Sequence, residues 1–156
     1  MRKAVVFDVG KVLVQWERDL PFRDLIPDPD ERAWFMDQVI PLDWHGEHDA
    51  GRDAAEMIAA RSAEFPDHAH LIQAWLDRFN DTIPGPVPGS VELVEALDAA
   101  GVPLYAITNF GADTWAGFRP TFPLLDRFID IVVSGVEKLA KPDPASYHLA
   151  QRRFGH

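Results

Sequence analysis

The sequence contains no cysteine. A disulfide framework and a thiolate metal site are therefore excluded, and a reducing cytoplasm is the expected location. No apolar run approaches the roughly 20 residues that a membrane span requires. The start, Met1-Arg2-Lys3 followed by Ala4 to Phe7 before the charge at Asp8, is too short in apolar residues for a signal peptide. Positive charge is scarce: 15 Lys plus Arg stand against 25 Asp plus Glu, a formal net charge of -10. Phosphate backbones are held by clustered Lys and Arg, so nucleic acid is not an expected partner, and neither is a membrane. An acidic protein that handles a small anion needs a local cation to offset its own field. Repeats and low-complexity tracts are also missing. What is present is ordinary globular material, 47% hydrophobic and 26% charged over 156 residues, enough for one compact domain or a small domain carrying an insert.

Along the chain, the apolar run at 4–7 ends at Asp8 and reads as a strand buried on both faces, followed by a turn at Val9 and Gly10. From about 16 to 82 the pattern becomes helical, broken at Pro27, Pro29, Pro41, Gly51 and Pro66. Asp30 is the expected cap of one helix, with Ala33, Trp34, Met36, Val39 and Ile40 inward; Asp53 is the expected cap of a second. Leu71, Ile72, Trp75, Leu76 and Phe79 form a helical stripe. The Pro- and Gly-rich stretch 83–90 is the expected return hinge. Ser90 then caps a helix stopped by Gly101. A strand at 104–107 ends at Thr108 and Asn109, and a third at 128–133 ends at Ser134 and Gly135. Asp143 before Pro144 opens a last helix to about Arg153.

Outside the helical stretch, strands alternate with helices, which argues for a parallel sheet with right-handed crossovers. Function in such sheets sits beyond the carboxyl ends of the strands. That rule selects Asp8, Thr108 with Asn109, and Lys138 or Lys141. A carboxylate, a hydroxyl and a fixed cation on one edge are the equipment for a covalent intermediate, the carboxylate attacking while the donors hold charge on the group attacked.

The run Val5-Val6-Phe7-Asp8-Val9-Gly10-Lys11-Val12-Leu13-Val14 resembles the first motif of the haloacid dehalogenase-like hydrolase superfamily, where an aspartate nucleophile follows the first strand. Ala106-Ile107-Thr108-Asn109 is similar to its second motif, a Ser or Thr that binds the phosphoryl group. Lys141-Pro142-Asp143-Pro144 is similar to the third, a lysine at a helix start. Trp44-His45-Gly46-Glu47-His48-Asp49-Ala50-Gly51 resembles a recurring segment of the helical cap found in the subgroup of phosphatases and haloacid dehalogenases. The resemblance implies an α/β fold: a Rossmann-like parallel sheet with helices on both faces (1–15 and 84–156), and a small all-helical cap inserted after the first strand (16–83). It implies Asp8 as nucleophile and Mg²⁺ ligand, Gly10 as a carbonyl ligand to the metal, Thr108 and Lys141 as catalytic phosphoryl holders, and Asn109 as a substrate-binding helper. Trp44 and His45, in a Pro- and Gly-bounded segment, are pocket candidates; Trp34 and Trp75, on apolar stripes, are expected in the core. His45 and His48 are expected on a solvated helix face.

Two features depart from the family pattern. Gly10 stands where most of the phosphatases carry a second aspartate as general acid. No acidic pair follows the last helix before the sequence ends at His156. The expectations are therefore weak Mg²⁺ binding, slow turnover, and an open sheet edge covered either by more chain or by a second copy in a homodimer. The leading expectation is a Mg²⁺-dependent phosphatase acting on a small phosphorylated metabolite through an aspartyl-phosphate. The alternatives are a 2-haloacid dehalogenase, with Arg18 and Arg23 as candidate cations, and a non-catalytic module.

Overall fold

The structure, a computed structural model, describes residues 3–156. Met1 and Arg2, part of the start read against a signal peptide, lie outside the described residues. Among these residues three strands form one parallel sheet in the order β1 (Val5–Phe7), β2 (Leu104–Thr108) and β3 (Asp130–Val133). Phe7 lies beside Ala106 and Thr108 beside Val133, so the carboxyl ends of all three strands fall on one edge.

Alternation along the strands sorts side chains onto two faces. Val5, Phe7, Leu104, Ala106, Ile131 and Val133 enter the main core with Val9, Leu13 and Val94. Tyr105, Ile107 and Val132 face the other way, against Ala150 and Phe154. Val6 points to that second side too, but β1 is an edge strand and Val6 stays 50% exposed.

Between β1 and β2 the chain is helical: α1 (Phe22–Leu25), α2 (Pro29–Trp34), a π-helical turn (Phe35–Val39), α3 (Leu42–Asp49), α4 (Ala54–Glu64) and α5 (Ala69–Asp77). These helices bury a core of their own, with Phe22, Phe35, Ile40, Met57 and Ile72 at its centre. The outgoing and returning chains run side by side: Gln15 N–H donates to Gly85 O at 2.9 Å, Glu17 N–H to Thr82 O at 2.8 Å, and Val87 N–H to Leu13 O at 2.9 Å. The stretch 83–90, expected as a hinge, is thus one side of a short paired connection.

After it come α6 (Ser90–Ala99), α7 (Ala112–Phe118), α8 (Ser134–Glu137) and α9 (Pro144–Phe154). Asp53 and Asp143 cap α4 and α9 through their carboxylates. Two other caps differ from expectation. Asp28, not Asp30, caps α2, because Pro29 supplies the first helical position. Gly89, at φ +86°, caps α6; the Ser90 hydroxyl instead donates to Leu13 O at 2.8 Å and ties α6 to the loop after β1. Trp34 is not in the core but 44% exposed, edge-on to Phe65. The π turn that starts at Phe35 departs from the 3.6-residue period and puts Phe35 inward in its place. Trp75 is buried as expected. No helix among the described residues is long and apolar enough to cross a membrane.

Candidate functional site

Asp8 is the first residue past β1. Its Oδ1 accepts from the Val9 N–H at 2.8 Å, and the Val9 carbonyl in turn accepts from the N–H groups of Leu13 and Val14 at 2.8 and 3.1 Å. The tight loop 9–14 therefore holds the carboxylate at the sheet edge. Lys11 turns this loop at φ +64°. The second carboxylate oxygen of Asp8 lies 2.9 Å from Lys141 Nζ. Residues 133 positions apart in sequence thus meet as a charge-assisted pair. Asp8 remains 44% exposed in its side chain, so this pair sits at an opening rather than in the interior.

Asn109 explains why Lys141 is there. Its amide donates to Lys141 O at 3.0 Å and its Oδ1 accepts from Lys141 N–H at 2.9 Å. Both functional ends of the Asn109 side chain are spent on the backbone N–H and C=O of this one residue across the sheet edge, so Asn109 positions the lysine. Lys138 does not line the cavity over this edge; it takes a left-handed backbone (φ +59°) and packs its stem against Gly51, where an added Cβ would lie 2.6 Å from Lys138 Cγ. Thr108, the last residue of β2, is 1% exposed and is not among the side chains lining the cavity described next.

A cavity of about 320 Å³ opens over this edge. Asp8, Gly10, Lys11, Asn109, Phe110 and Lys141 line it from the sheet side. Leu42, His45, Gly46 and Asp49, all on α3, line it from the helical side, and Trp16, Phe79 and Ile83 contribute apolar wall. His45 thus lines the cavity. Trp44 does not: it is only 4% exposed and packs on Trp75 with ring centroids 4.5 Å apart, because consecutive residues of a helix face different sides. Arg18 and Arg23 do not line the cavity either. The half-buried Arg18 donates to the Ile40 carbonyl, and Arg23 lies outside, paired with Asp19.

The helical wall holds titratable groups out of water, and here the solvated surface expected of His45 and His48 is overturned. Trp75 Nε1 donates to His45 Nδ1 at 2.9 Å, which assigns the ring proton to Nε2. Burial first, then the nearby Arg18 and His48, lower the His45 pKa to about 3. His45 is thus neutral, and its Nε2, 3.5 Å from Asp49 Oδ2, makes no ion pair. Burial raises the Asp49 pKa to about 7, with Arg18 and a hydrogen bond from the Gly111 N–H pulling the other way. His48 is buried with Nδ1 3.1 Å from Arg52 O and Nε2 unpartnered. A Cβ on Gly111 would lie 2.1 Å from His48 Nε2, so glycine is required where α3 meets the turn after β2. Sequence reasoning missed Asp49 and Gly111. Asp49 sits within the segment singled out at 44–51, but nothing in the spacing says which of its polar residues turns inward.

A magnesium ion keeps several waters and needs one or two protein carboxylates besides substrate phosphate oxygens. The Asp8 carboxylate and the Gly10 carbonyl meet the minimum of that donor set. No cluster of three or more His, Cys, Asp or Glu side chains suited to a metal occurs among the described residues.

A carboxylate and a lysine meet at the carboxyl edge of a parallel α/β sheet and face a cavity walled by helices, a placement suited to group-transfer chemistry. The chain belongs to the haloacid dehalogenase-like hydrolases, whose family model matches residues 2–156. It is 28% identical to a phosphoglycolate phosphatase of Mesorhizobium japonicum over 59% of this chain and 42% of that protein's length, so the match spans less than half of the relative. Its fold is shared with a HAD family enzyme of Bacteroides thetaiotaomicron solved with magnesium and inorganic phosphate, at a TM-score of 0.74 and 18% identity, covering 99% of this chain and 80% of that one. It is also shared with an L-2-haloacid dehalogenase of Xanthobacter autotrophicus carrying covalently bound chloropropionic acid, at a TM-score of 0.63 and 18% identity, covering 100% of this chain and 66% of that one.

Proposed function

We propose that the protein is a Mg²⁺-dependent phosphomonoester hydrolase in which Asp8 attacks phosphorus, with residues 16–83 acting as the cap over a core made of 1–15 and 84–156. The observation that carries this reading is the Asp8–Lys141 pair at 2.9 Å, open to a cavity of about 320 Å³. That volume suits a small phosphorylated metabolite. Lys141 has one acidic partner at the edge, and an arriving phosphoryl group offers it a second. Thr108, at the end of β2, is proposed to hold a phosphoryl oxygen as the transferring group passes to Asp8. Asn109 holds Lys141 in place.

Asp8 and the Gly10 carbonyl would hold magnesium, whose charge offsets the repulsion between a carboxylate and a phosphate dianion. That repulsion is about 4 kcal/mol per pair of unit charges at about 4 Å with an effective dielectric near 20. With one protein carboxylate in the donor set, the affinity for Mg²⁺ alone is expected to be weak. Attack by Asp8 forms an aspartyl-phosphate and releases the alcohol. A water molecule then cleaves that intermediate to phosphate.

The test is p-nitrophenyl phosphate turnover with and without Mg²⁺, beside an Asp8→Asn variant. Turnover that needs both the metal and Asp8 supports the reading; turnover surviving in the variant refutes it. One observation favours a second reading, 2-haloacid dehalogenation: halide needs no protonation on leaving, so Gly10 is no handicap. The absence of Arg18 and Arg23 from the cavity weighs against it. Chloride release from 2-chloropropionate separates the two.

A further inference from the structure

Displacement at phosphorus places the attacking and leaving oxygens roughly in line, on opposite sides of the transferring group. With Asp8 attacking from the sheet edge, the ester oxygen points away from that edge, toward the wall built by α3. An alkoxide is a poor leaving group and needs a proton as the bond breaks. On the sheet side Gly10 has no side chain to give one, and Lys141 is engaged with Asp8. Lys11 carries its ammonium over the Trp16 ring, 5.8 Å from the centroid. On the facing wall His45 is neutral and accepts a hydrogen bond from Trp75 at Nδ1. That leaves one further carboxyl group among the side chains lining the cavity, Asp49.

From this geometry we infer that Asp49 is the general acid of the reaction, supplied across the cavity by α3 in place of an acid next to the nucleophile. The inference rests on the phosphatase reading. As the Asp8 oxygen bonds to phosphorus, the ester P–O bond breaks and the Asp49 proton passes to the departing alkoxide oxygen, leaving Asp49 as a carboxylate. When water attacks the aspartyl-phosphate, the P–O bond to Asp8 breaks and the proton of that water returns to Asp49. The sum is ester plus water giving alcohol plus phosphate.

The surroundings of Asp49 suit the role. Burial holds its proton to about pH 7, within reach of neutral conditions. The groups facing it are Arg18 from the outgoing chain, His45 on its own helix, and the Gly111 N–H from the turn after β2. Arg18 and the Gly111 N–H stabilise the carboxylate that forms, so the group can release its proton and take it back.

Leaving-group dependence tests the assignment. p-Nitrophenolate leaves without help, whereas the alkoxide of β-glycerol phosphate does not. In Asp49→Asn, kcat/KM should fall by roughly 10²–10⁴ with β-glycerol phosphate and by at least about tenfold less with p-nitrophenyl phosphate. With the parent protein, kcat/KM for the alkyl ester should fall as pH rises past about 7, and this limb should vanish in the variant. Equal losses on both esters, or none on the alkyl ester, would overturn the inference. Asp8→Asn keeps the two readings apart: if it abolishes turnover while Asp49→Asn does not discriminate between esters, only the general-acid role falls. Carbon-13 NMR of the aspartate carboxyls in the intact protein reads the group without turnover. One resonance should titrate near pH 7 and be missing in Asp49→Asn; titration in the usual carboxylate range overturns the role.

Discussion

The two walls of the cavity solve different electrostatic problems. On the sheet wall, charge is fixed and near water: Asp8 and Lys141 neutralise each other at an opening, held by backbone hydrogen bonds to Val9 and by Asn109. On the helical wall, ionisable groups are drawn partly out of water and their charged forms are disfavoured, His45 with its pKa lowered to about 3 and Asp49 with its pKa raised to about 7. A fixed pair suits binding an anion and presenting a nucleophile. A half-buried carboxyl that titrates near neutrality suits moving a proton. The difference teaches that one cavity sets a fixed, solvated charge pair against a half-buried titratable wall, the two drawn from distant parts of the chain and joined where α3 meets the Gly111 turn.

The comparison can be broken most sharply on the sheet wall. Asp8→Asn should lower kcat on p-nitrophenyl phosphate by roughly 10⁴ or more, since loss of a nucleophile removes the covalent route altogether. Lys141→Met should cost roughly 10²–10³ in kcat, the range for removing one fixed donor from a developing charge. Steady-state kinetics with Mg²⁺ checks both.

Smaller effects probe how the walls are held. Gly111→Ala should destabilise the fold by about 1–3 kcal/mol, read from urea unfolding, because His48 is confined by Trp75 and its contact with Arg52 O and cannot swing clear. Asn109→Ala should cost about 1–2 kcal/mol of stability through two lost hydrogen bonds, with a modest fall in kcat as Lys141 loosens.

On the helical wall the expected signature is pH dependence. Asp49 moves from 3.8 to about 7 on folding, so the folded state holds a proton that the unfolded chain releases. That contribution is complete below about pH 4 and is lost as pH rises through about 7. His45 acts in the opposite sense: from 6.5 down to about 3, its contribution is present above about pH 6.5 and is lost as pH falls through about 3. Asp49→Asn should therefore gain stability relative to the parent as pH rises from about 4 to about 7, measured by thermal or urea melts across that window.

The same contrast decides what was legible in the sequence. Short continuous apolar runs announced all three strands, and the rule for carboxyl ends of parallel strands selected Asp8, Thr108 with Asn109, and Lys138 or Lys141 without any knowledge of packing. The proline after Lys141, with Asp143 as cap, favoured Lys141 over Lys138, and the pair with Asp8 places Lys141 at the edge. The helical wall was legible only as helices. Which residues of 44–51 turn inward depends on how α3 is rotated against α5 and the Gly111 turn, so Trp44 and His45 were paired as pocket candidates although only His45 lines the cavity, and Asp49 went unseen. Trp34 was misread because a π turn interrupts the period on which the reading relied. Asn109 was placed correctly at the strand end, but its partners, the peptide groups of Lys141, are a long-range contact that no local pattern encodes.

The central claim is that Asp8 takes the phosphoryl group. The direct measurement is mass spectrometry of the protein quenched in acid during turnover of p-nitrophenyl phosphate with Mg²⁺, followed by peptide mapping. The account predicts one added phosphoryl group on the peptide that contains Asp8, absent in Asp8→Asn. Ester turnover with the phosphoryl group on any other residue, or with Asp8 never modified, would contradict it.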